Sequence, residues 1–188
     1  MAEAVHLYVR KAFSEGSRLR SLINDELVVE VDQLARSVLS ECEHTKQFAR
    51  FSLLSDGSLF SSIRPKADTI PLTAGYFATR MGEERFCIVD PTHRSAAFHD
   101  SGKLGRQKGY AVVRLDQAST DALVSGKELS ADELAVRALW RRFYESVSLS
   151  GRDVSERGYD LRTQLMPRRF WGGLSELGPQ ADEFARKA

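Results

Sequence analysis

The sequence contains little cysteine and no long hydrophobic run. Cys42 and Cys87 both lie within apolar patterns, so we expect two buried, reduced thiols and neither a disulfide nor a nucleophile. No apolar stretch approaches the ~18 residues that a membrane-spanning helix needs. The first residues, MAEAVHLYVRK, also lack the apolar block of a signal peptide. These absences predict a cytoplasmic protein that does not contact a membrane.

The common catalytic and cofactor motifs are absent as well. The sequence has no G-x-S-x-G nucleophile elbow, no C-x-x-C pair, no H-E-x-x-H zinc motif, no P-loop and no dinucleotide fingerprint. The four histidines are scattered along the chain, so we predict no metal site and no cofactor. The sequence leaves open whether the protein is an enzyme.

Positive and negative charges nearly balance over the whole chain, but they are unevenly distributed along the sequence. The formal net charge is +1, so any footprint for a polyanion must be local. Between Ala138 and Trp171, the segments ALWRRFYESV and LRTQLMPRRFW combine many arginines with aromatic residues. This mixture is typical of phosphate clamping and base stacking, although arginine stems also cover the edges of hydrophobic cores.

Periodicity and turn signals predict an α+β fold with a single antiparallel sheet of about five strands. Two N-terminal helices precede a hairpin with an Asp56-Gly57 turn, a helix that begins near Pro71, and a three-strand meander. The short links favour antiparallel neighbours, with N-terminal and C-terminal helices packed against the sheet. We expect Asn24 to cap the second helix and Ser130 and Glu133 to form a capping box further on.

We expect residues 1–188 to form one α+β domain. Its predicted parts are the N-terminal helices at 1–47, the sheet region at 48–116, the C-terminal arginine and aromatic block at 130–176, and a polar tail at 179–188. Helical spacing in the C-terminal block places Trp140 on an apolar stripe, so this residue is predicted to lie in the core.

The arginines predict a nucleic-acid-binding face. Arginines of the C-terminal block would clamp phosphates, three arginines of the sheet region would extend the clamp, and Tyr144 or Trp171 would stack on bases. The predicted contact residues are Arg50, Arg80, Arg94, Arg137, Arg141, Arg157, Arg168, Arg169, Tyr144 and Trp171. Arg64, on the same hairpin as Arg50, and Arg85 could join the same anion-binding face, although they are not among these predicted contact residues. The alternative is a solvated or internally paired arginine surface.

Two stretches of the chain resemble a known family. The stretch HTKQFARFSLLSDGSLFSSIRPKADTIPLTAGYFATRMGEERFCIVDPTHRSAAFHD and the later MPRRFW resemble a bacterial family linked to DNA metabolism, whose C-terminal portion is the DUF4130 domain. The family pattern has a glutamate before a GFxRF strand, a DG turn, PxxDxxPL, FxxR, IxDxxR, LWRxYY and MPxRYW. The resemblance runs from about Glu41 to Glu176. Matching positions are Glu41, Phe48, Arg50, Phe51, Asp56, Gly57, Pro65, Asp68, Pro71, Leu72, Phe77, Arg80, Asp90, Arg94, Leu139, Trp140, Arg141, Tyr144, Arg157, Gln164, Met166, Pro167, Arg169 and Trp171.

Four positions depart from the family pattern. Ala67 replaces a histidine, Gln47 a glycine, Gly158 an asparagine and Phe170 a tyrosine. We therefore carry over no role that depends on that histidine or asparagine.

The resemblance implies DNA repair or modification, because relatives are associated with a radical-SAM protein and some are fused to a uracil-DNA-glycosylase-like domain. Our first hypothesis is an accessory protein that binds single-stranded or damaged DNA through the arginine face. The second is a structural adaptor that docks on a radical-SAM or glycosylase-like partner without touching DNA, with Phe170 and Trp171 exposed for docking. The third is a DNA-processing hydrolase that brings Glu41, Asp90, His93 or Asp100 into one cleft.

Overall fold

The structure, a computed structural model, describes residues 2–100, 109–146 and 165–175. The chain divides into two compact units, Met1–Glu41 and Cys42–Ala188. The prediction that residues 1–188 form one domain stays a prediction. The predicted polar tail, 179–188, lies outside the described residues.

The first unit is helical. It contains α1 (Ala2–Glu15), a 3₁₀ helix (Gly16–Ser21) and the first part of α2 (Glu26–Phe48). The predicted cap at Asn24 is wrong, because α2 begins two residues later and Val28 N–H donates to Asp25 Oδ1 at 3.2 Å. A hydrogen bond from Lys11 lowers the pKa of Asp25 and keeps this cap ionised. Asp25 therefore joins the start of α2 to the end of α1.

The second unit contains a single five-stranded sheet with helices, and the predicted α+β class is confirmed. The strands are β1 (Ser52–Leu53), β2 (Leu59–Ser62), β3 (Phe86–Asp90), β4 (Ser95–His99) and β5 (Tyr110–Arg114). They lie side by side in chain order. The helices are α3 (Ile70–Met81), α4 (Gln117–Val124), α5 (Ala131–Ser146) and a C-terminal 3₁₀ helix (Arg168–Gly173). The short α4, which the sequence analysis does not predict, is capped by Asp116, whose Oδ1 accepts from Ser119 N–H at 2.7 Å.

The sheet is mixed, so the prediction of antiparallel pairing throughout is wrong for one pair. β2 and β3 are parallel, with Leu59 opposite Phe86 and Ser62 opposite Val89. The physical reason is α3, which lies between these strands and returns the chain to the end of the sheet from which β2 starts. The other three pairs are antiparallel, as predicted.

The hydrophobic core of the second unit lies between one face of the sheet, α3 and the C-terminal 3₁₀ helix. It contains Ile63, Phe77, Ile88, Phe170 and Trp171. Trp171 is 0 % exposed, and its indole N–H donates to the carbonyl of Met166 at 3.0 Å. Trp140 is 47 % exposed. The predictions for the two tryptophans are therefore reversed, because the tryptophan of the MPRRFW string anchors the core and the one on α5 faces solvent.

Cys42 and Cys87 form no disulfide, and the predicted burial is confirmed for Cys42 but only in part for Cys87. Cys42 is buried, and burial raises the pKa of the half-buried Cys87 thiol to about 11. Cys87 therefore stays protonated at neutral pH and is a poor nucleophile. None of the helices in the described ranges is both long and apolar enough to cross a membrane.

The different exposure of the two tryptophans predicts a simple fluorescence result. A Trp140→Phe variant retains only buried Trp171, so its emission should lie at short wavelength and resist quenching by acrylamide. A Trp171→Phe variant should emit at longer wavelength and be quenched several-fold more strongly. Equal quenching of the two folded variants would contradict the burial of Trp171.

Candidate functional site

A cleft in the second unit gathers arginines from four separate parts of the chain. Its volume is about 250 Å³, and we term it the arginine cleft. The cleft is lined by Arg50, Ser52, Phe60, Ser62, Arg64, Val124, Arg137, Arg169, Gly172 and Gly173. Arg50 precedes β1, Arg64 follows β2, Arg137 lies on α5 and Arg169 on the C-terminal 3₁₀ helix.

A larger cleft of about 460 Å³ lies in the first unit, between α1 and α2. The charged side chains that line it are Asp32 and Arg36, which form an ion pair at 3.9 Å. These two charges balance each other, so this cleft offers no excess charge to a ligand. The arginine cleft is the stronger candidate site.

The alternation of β2 builds one wall of the arginine cleft. Phe60, Ser62 and Arg64 are spaced two residues apart and lie on one side of the chain. The intervening Ser61 and Ile63 are buried, and Ile63 belongs to the core. Core packing on one face of this strand therefore directs Arg64 into the cleft on the other.

Arg137 is fixed by a small polar network between α5 and β1. Its Nε donates to Glu133 Oε1 at 2.7 Å, and its Nη2 donates to the hydroxyl of Ser52. Glu133 Oε2 accepts from Leu53 N–H at 3.3 Å. Ser130 caps α5 by accepting from Glu133 N–H at 3.1 Å, as predicted. The Glu133 side chain is predicted to complete a capping box, but it accepts hydrogen bonds from Arg137 and from the backbone of β1.

The C-terminal 3₁₀ helix supplies Arg169 and a close contact for Arg50. Arg169 Cζ lies 5.2 Å from the ring centroid of Phe170, which is within the range of a cation–π contact. A Cβ atom added to Gly173 would lie 3.0 Å from Arg50 Cβ and 3.3 Å from its Cγ. Glycine at this position lets the stem of Arg50 pack directly on the backbone.

The electrostatics of the arginine cleft favour an anion. Its described lining includes four arginines and no carboxylate; Glu133 reaches Arg137 from beside it. Within the described ranges, the Arg50 and Arg64 side chains make no hydrogen bond and no ion pair. Converging like charges destabilise the folded chain, and a bound oxyanion would relieve them through charge-assisted hydrogen bonds. The hydroxyls of Ser52 and Ser62 add donors that carry no charge.

The pattern of a family described as a domain of unknown function, DUF4130, matches residues 1–176. The chain belongs to the DUF4130 family. The match includes the N-terminal helices, so it extends further than the expected resemblance from Glu41 onwards. No curated protein and no solved structure matches the chain.

The DUF4130 domain brings together three of the predicted contact arginines, Arg50, Arg137 and Arg169. Arg50 and Arg169 correspond to the arginines of the GFxRF and MPxRYW strings, so two distant motif positions meet in one cleft. The other predicted residues that fall within the described ranges do not line the cleft. Arg80 on α3 donates to the hydroxyl of Tyr76 at 3.1 Å, and Arg94 adopts a left-handed conformation, with φ 51°, between β3 and β4.

The remaining predicted residues fall into three groups. Arg141 and Arg168 are exposed and Tyr144 is half-buried. Arg157 lies outside the described residues. The prediction that Trp171 is a stacking platform is wrong, because a side chain with no exposed surface presents no face to a base. Trp171 instead supports the helix that carries Arg169.

The predicted contact residues do not include Arg64, although it is considered for the same face, and sequence reasoning missed Ser52, Ser62 and the two glycines of the cleft. The period-two alternation through Phe60, Ser62 and Arg64 is a signal that could have identified Arg64. The contact between Gly173 and Arg50 joins residues that are distant in sequence, and no local pattern indicates it.

Asp90 and His93 form a second polar group at the turn between β3 and β4. The Asp90 side chain is 0 % exposed, and its Oδ2 lies 2.6 Å from His93 Nδ1. Its Oδ1 accepts from Thr92 N–H at 2.9 Å. Burial raises the pKa of Asp90, while the hydrogen bond and charge of His93 oppose this shift. The bonds of Asp90 stay within this turn, which indicates a structural role for the carboxylate.

The residues expected for a hydrolase do not all share one site, because Asp90 and His93 lie together but Asp100 lies apart from them. Asp90 pairs with Ser95 at one end of the β3–β4 hairpin, whereas Asp100 follows the other end, roughly 15 Å away along five residues. His99 lies with Asp100 at that far end, stacked on Phe86 with ring centroids 5.1 Å apart. Across residues 2–100, 109–146 and 165–175, no group of three His, Cys, Asp or Glu side chains is placed to hold a metal ion.

The packing of Arg50 on Gly173 generates a prediction that changes no charge. Gly173→Ala should displace Arg50 by a few tenths of an ångström and weaken the binding of inorganic phosphate about threefold, or roughly 0.6 kcal/mol. The measurement is the rise in melting temperature with phosphate, compared with chloride at equal ionic strength.

Gly75→Ala is the matched control. A Cβ at Gly75 would meet Tyr110 Oη at 3.1 Å, a contact of similar tightness that involves no lining residue of the arginine cleft. Its response to phosphate should equal that of the unmodified chain. Equal responses in both variants would contradict the role of Gly173 in positioning Arg50.

Proposed function

We propose that this DUF4130 domain binds nucleic acid through the arginine cleft and acts as a cytoplasmic accessory protein in DNA repair or modification. The observation that carries the proposal is the convergence of Arg50, Arg64, Arg137 and Arg169 on one cleft that has no carboxylate among its described lining residues. Guanidinium groups bind phosphate oxygens through two parallel hydrogen bonds. Because the net charge is only +1, a polyanion must be attracted by a local group of positive charges, and the arginine cleft provides one.

The resemblance to a family linked to DNA metabolism supports DNA as the polyanion. Single-stranded or damaged DNA suits the cleft better than a regular duplex, because the cleft has a volume of only about 250 Å³ and its wall contains the half-buried ring of Phe60. Aromatic side chains stack on unpaired bases, for ~1–3 kcal/mol per base when they are exposed. With Trp171 buried, Phe60 and the half-buried Tyr144 are the aromatic residues proposed for this contact.

Salt dependence of binding tests the proposal. Affinity for a single-stranded oligonucleotide should fall steeply with salt, with a log–log slope of about 0.7 for each neutralised phosphate. The double variant Arg50→Ala/Arg64→Ala should lower that slope by about 1.4, because two guanidinium groups are lost. Fluorescence anisotropy over a range of potassium chloride concentrations measures the slope.

Arg10→Ala provides the matched control for charge. Arg10 is exposed on α1 in the first unit and does not line the arginine cleft, so its removal should leave the slope almost unchanged. Melting temperatures verify that each variant is folded. A flat salt response, or the same loss in the control and the double variant, would contradict the proposal.

A second candidate function is the adaptor, and α5 gives it a specific observation. Val136, Leu139 and Phe143 are 61, 69 and 54 % exposed and recur at helical spacing on this amphipathic helix. A run of large apolar side chains on the surface marks an interface. In this proposal α5 docks on a radical-SAM or uracil-DNA-glycosylase-like protein. Phe170 and Trp171, which the sequence analysis expected at the docking surface, are buried and cannot form it.

The adaptor proposal predicts that Leu139→Asp weakens binding of such a purified partner at least tenfold, equivalent to about 1.4 kcal/mol. Isothermal titration calorimetry provides the measurement. The control is Arg142→Ala, which alters an exposed residue of the same helix. An affinity unchanged by Leu139→Asp would exclude α5 as the docking surface.

A further inference from the structure

The four arginines of the arginine cleft differ in how their charges are balanced. Arg137 forms an ion pair with Glu133 at 2.7 Å, and both side chains are mostly buried, so this charge is compensated within the fold. Arg50 and Arg64 have no such carboxylate in the part of the chain that the structure describes. Two guanidinium charges therefore remain for a ligand, and Arg169 lines the cleft beside them.

We propose that the arginine cleft recognises a terminal phosphomonoester of a nucleotide, at the end of a nucleic-acid strand or on a free nucleotide. This inference rests on the proposed function and names the group that the cleft selects. A phosphodiester within a strand has one negative charge. A phosphomonoester has a charge of about −1.5 to −2 at pH 7 and three terminal oxygens. The charge and the additional acceptors of the monoester match Arg50 and Arg64 better than an internal phosphate does.

The size of the arginine cleft supports a terminal group. Its volume of about 250 Å³ lies below the ~300–1,000 Å³ of pockets that enclose a drug-sized ligand. A phosphate and part of its sugar fit this space, whereas an internal phosphate must be accommodated with chain leaving on both sides. Gly172 and Gly173 form part of the wall with backbone alone, and Gly173 lets the stem of Arg50 pack against this wall.

The apolar wall of the cleft indicates what is attached to the phosphate. Phe60 and Val124 line the cleft together with the arginines, and Lys127 Nζ lies 5.2 Å from the centroid of the Phe60 ring. Inorganic phosphate would leave this apolar surface in contact with water. The sugar or base of a terminal nucleotide would cover it, because aromatic and aliphatic side chains pack against nucleosides without regard to base sequence.

The experiment compares strands that differ only in their ends. Fluorescence anisotropy measures binding of one single-stranded oligonucleotide with a 5′-phosphate, a 3′-phosphate or hydroxyls at both ends. At pH 7 we expect at least one phosphorylated strand to bind about tenfold more tightly than the hydroxyl strand. At pH 5 the preference should shrink to roughly twofold to threefold, since the monoester loses its second charge near pH 6. The hydroxyl strand at each pH corrects for changes in the charge of the protein itself; Glu133 and Lys127 are the other charged groups beside the cleft.

The Arg64→Ala variant should abolish the preference, and Arg64→Lys should restore part of it, because lysine keeps the charge but not the planar fork. Arg10→Ala should retain the full preference. Equal affinity for all three strands, with all of them weakened by Arg64→Ala, would overturn this inference and leave the proposed nucleic-acid binding intact. The absence of binding to any strand would overturn both.

Deoxythymidine 5′-monophosphate and thymidine distinguish the two sources of the phosphomonoester. If the nucleotide competes as effectively as the phosphorylated strand and thymidine does not compete, the inference holds and the ligand is a free nucleotide. If only the phosphorylated strand competes, the inference holds for strand ends. Competition by thymidine as strong as that by the nucleotide would overturn the inference.

Discussion

The burial of Trp171 is the interaction on which the arginine cleft depends. The indole ring is enclosed by the core of the second unit, and its N–H is paired with the carbonyl of Met166. A side chain of this size fixes the segment that carries it, because removing it would leave a large cavity. The segment also carries Arg169 on one side and Gly173 on the other. The core therefore sets the position of one arginine directly and of Arg50 through its contact with Gly173.

The cleft also illustrates how a fold tolerates converging charges of one sign. Glu133 balances Arg137 and at the same time binds the backbone of β1. Glu133 thus neutralises Arg137 and also secures the edge of the sheet, while Arg50 and Arg64 have no such carboxylate partner in the part of the chain that the structure describes. Uncompensated charges of one sign oppose folding through their mutual repulsion, and a bound anion removes this cost.

Local patterns allow much of the fold to be predicted, because the features concerned depend on nearby residues. Short stretches of sequence are enough to predict the Asp-Gly turn, the start of α3 near Pro71, the β3–β4–β5 meander and the Ser130 cap. The parallel pairing of β2 with β3 depends instead on where α3 returns the chain. The positions of the two tryptophans depend on which apolar face finds partners in the tertiary structure, and periodicity alone does not decide this.

The candidate site was predictable in part for the same reason. Arginine content and family resemblance identify Arg50, Arg137 and Arg169, but composition does not distinguish them from Arg80 or Arg94. Their convergence is a property of the packed core. Arg64 requires knowledge of which face of β2 is buried, and Gly173 matters only because Arg50 lies against it.

The two outer strands of the sheet differ in a way that affects assembly. On the outer side of β1, Leu53 N–H donates to the Glu133 carboxylate and Leu53 C=O accepts from Ser130 N–H. Ser55 N–H donates to the backbone carbonyl of Glu128. In the ranges the structure describes, no strand pairs with the outer side of β5. An unpaired outer strand is a template for strand addition. Among the described strands, β5 is therefore the one to which another chain could add a strand, in a complex or in aggregation. It lies at the opposite end of the sheet from β1 and the arginine cleft.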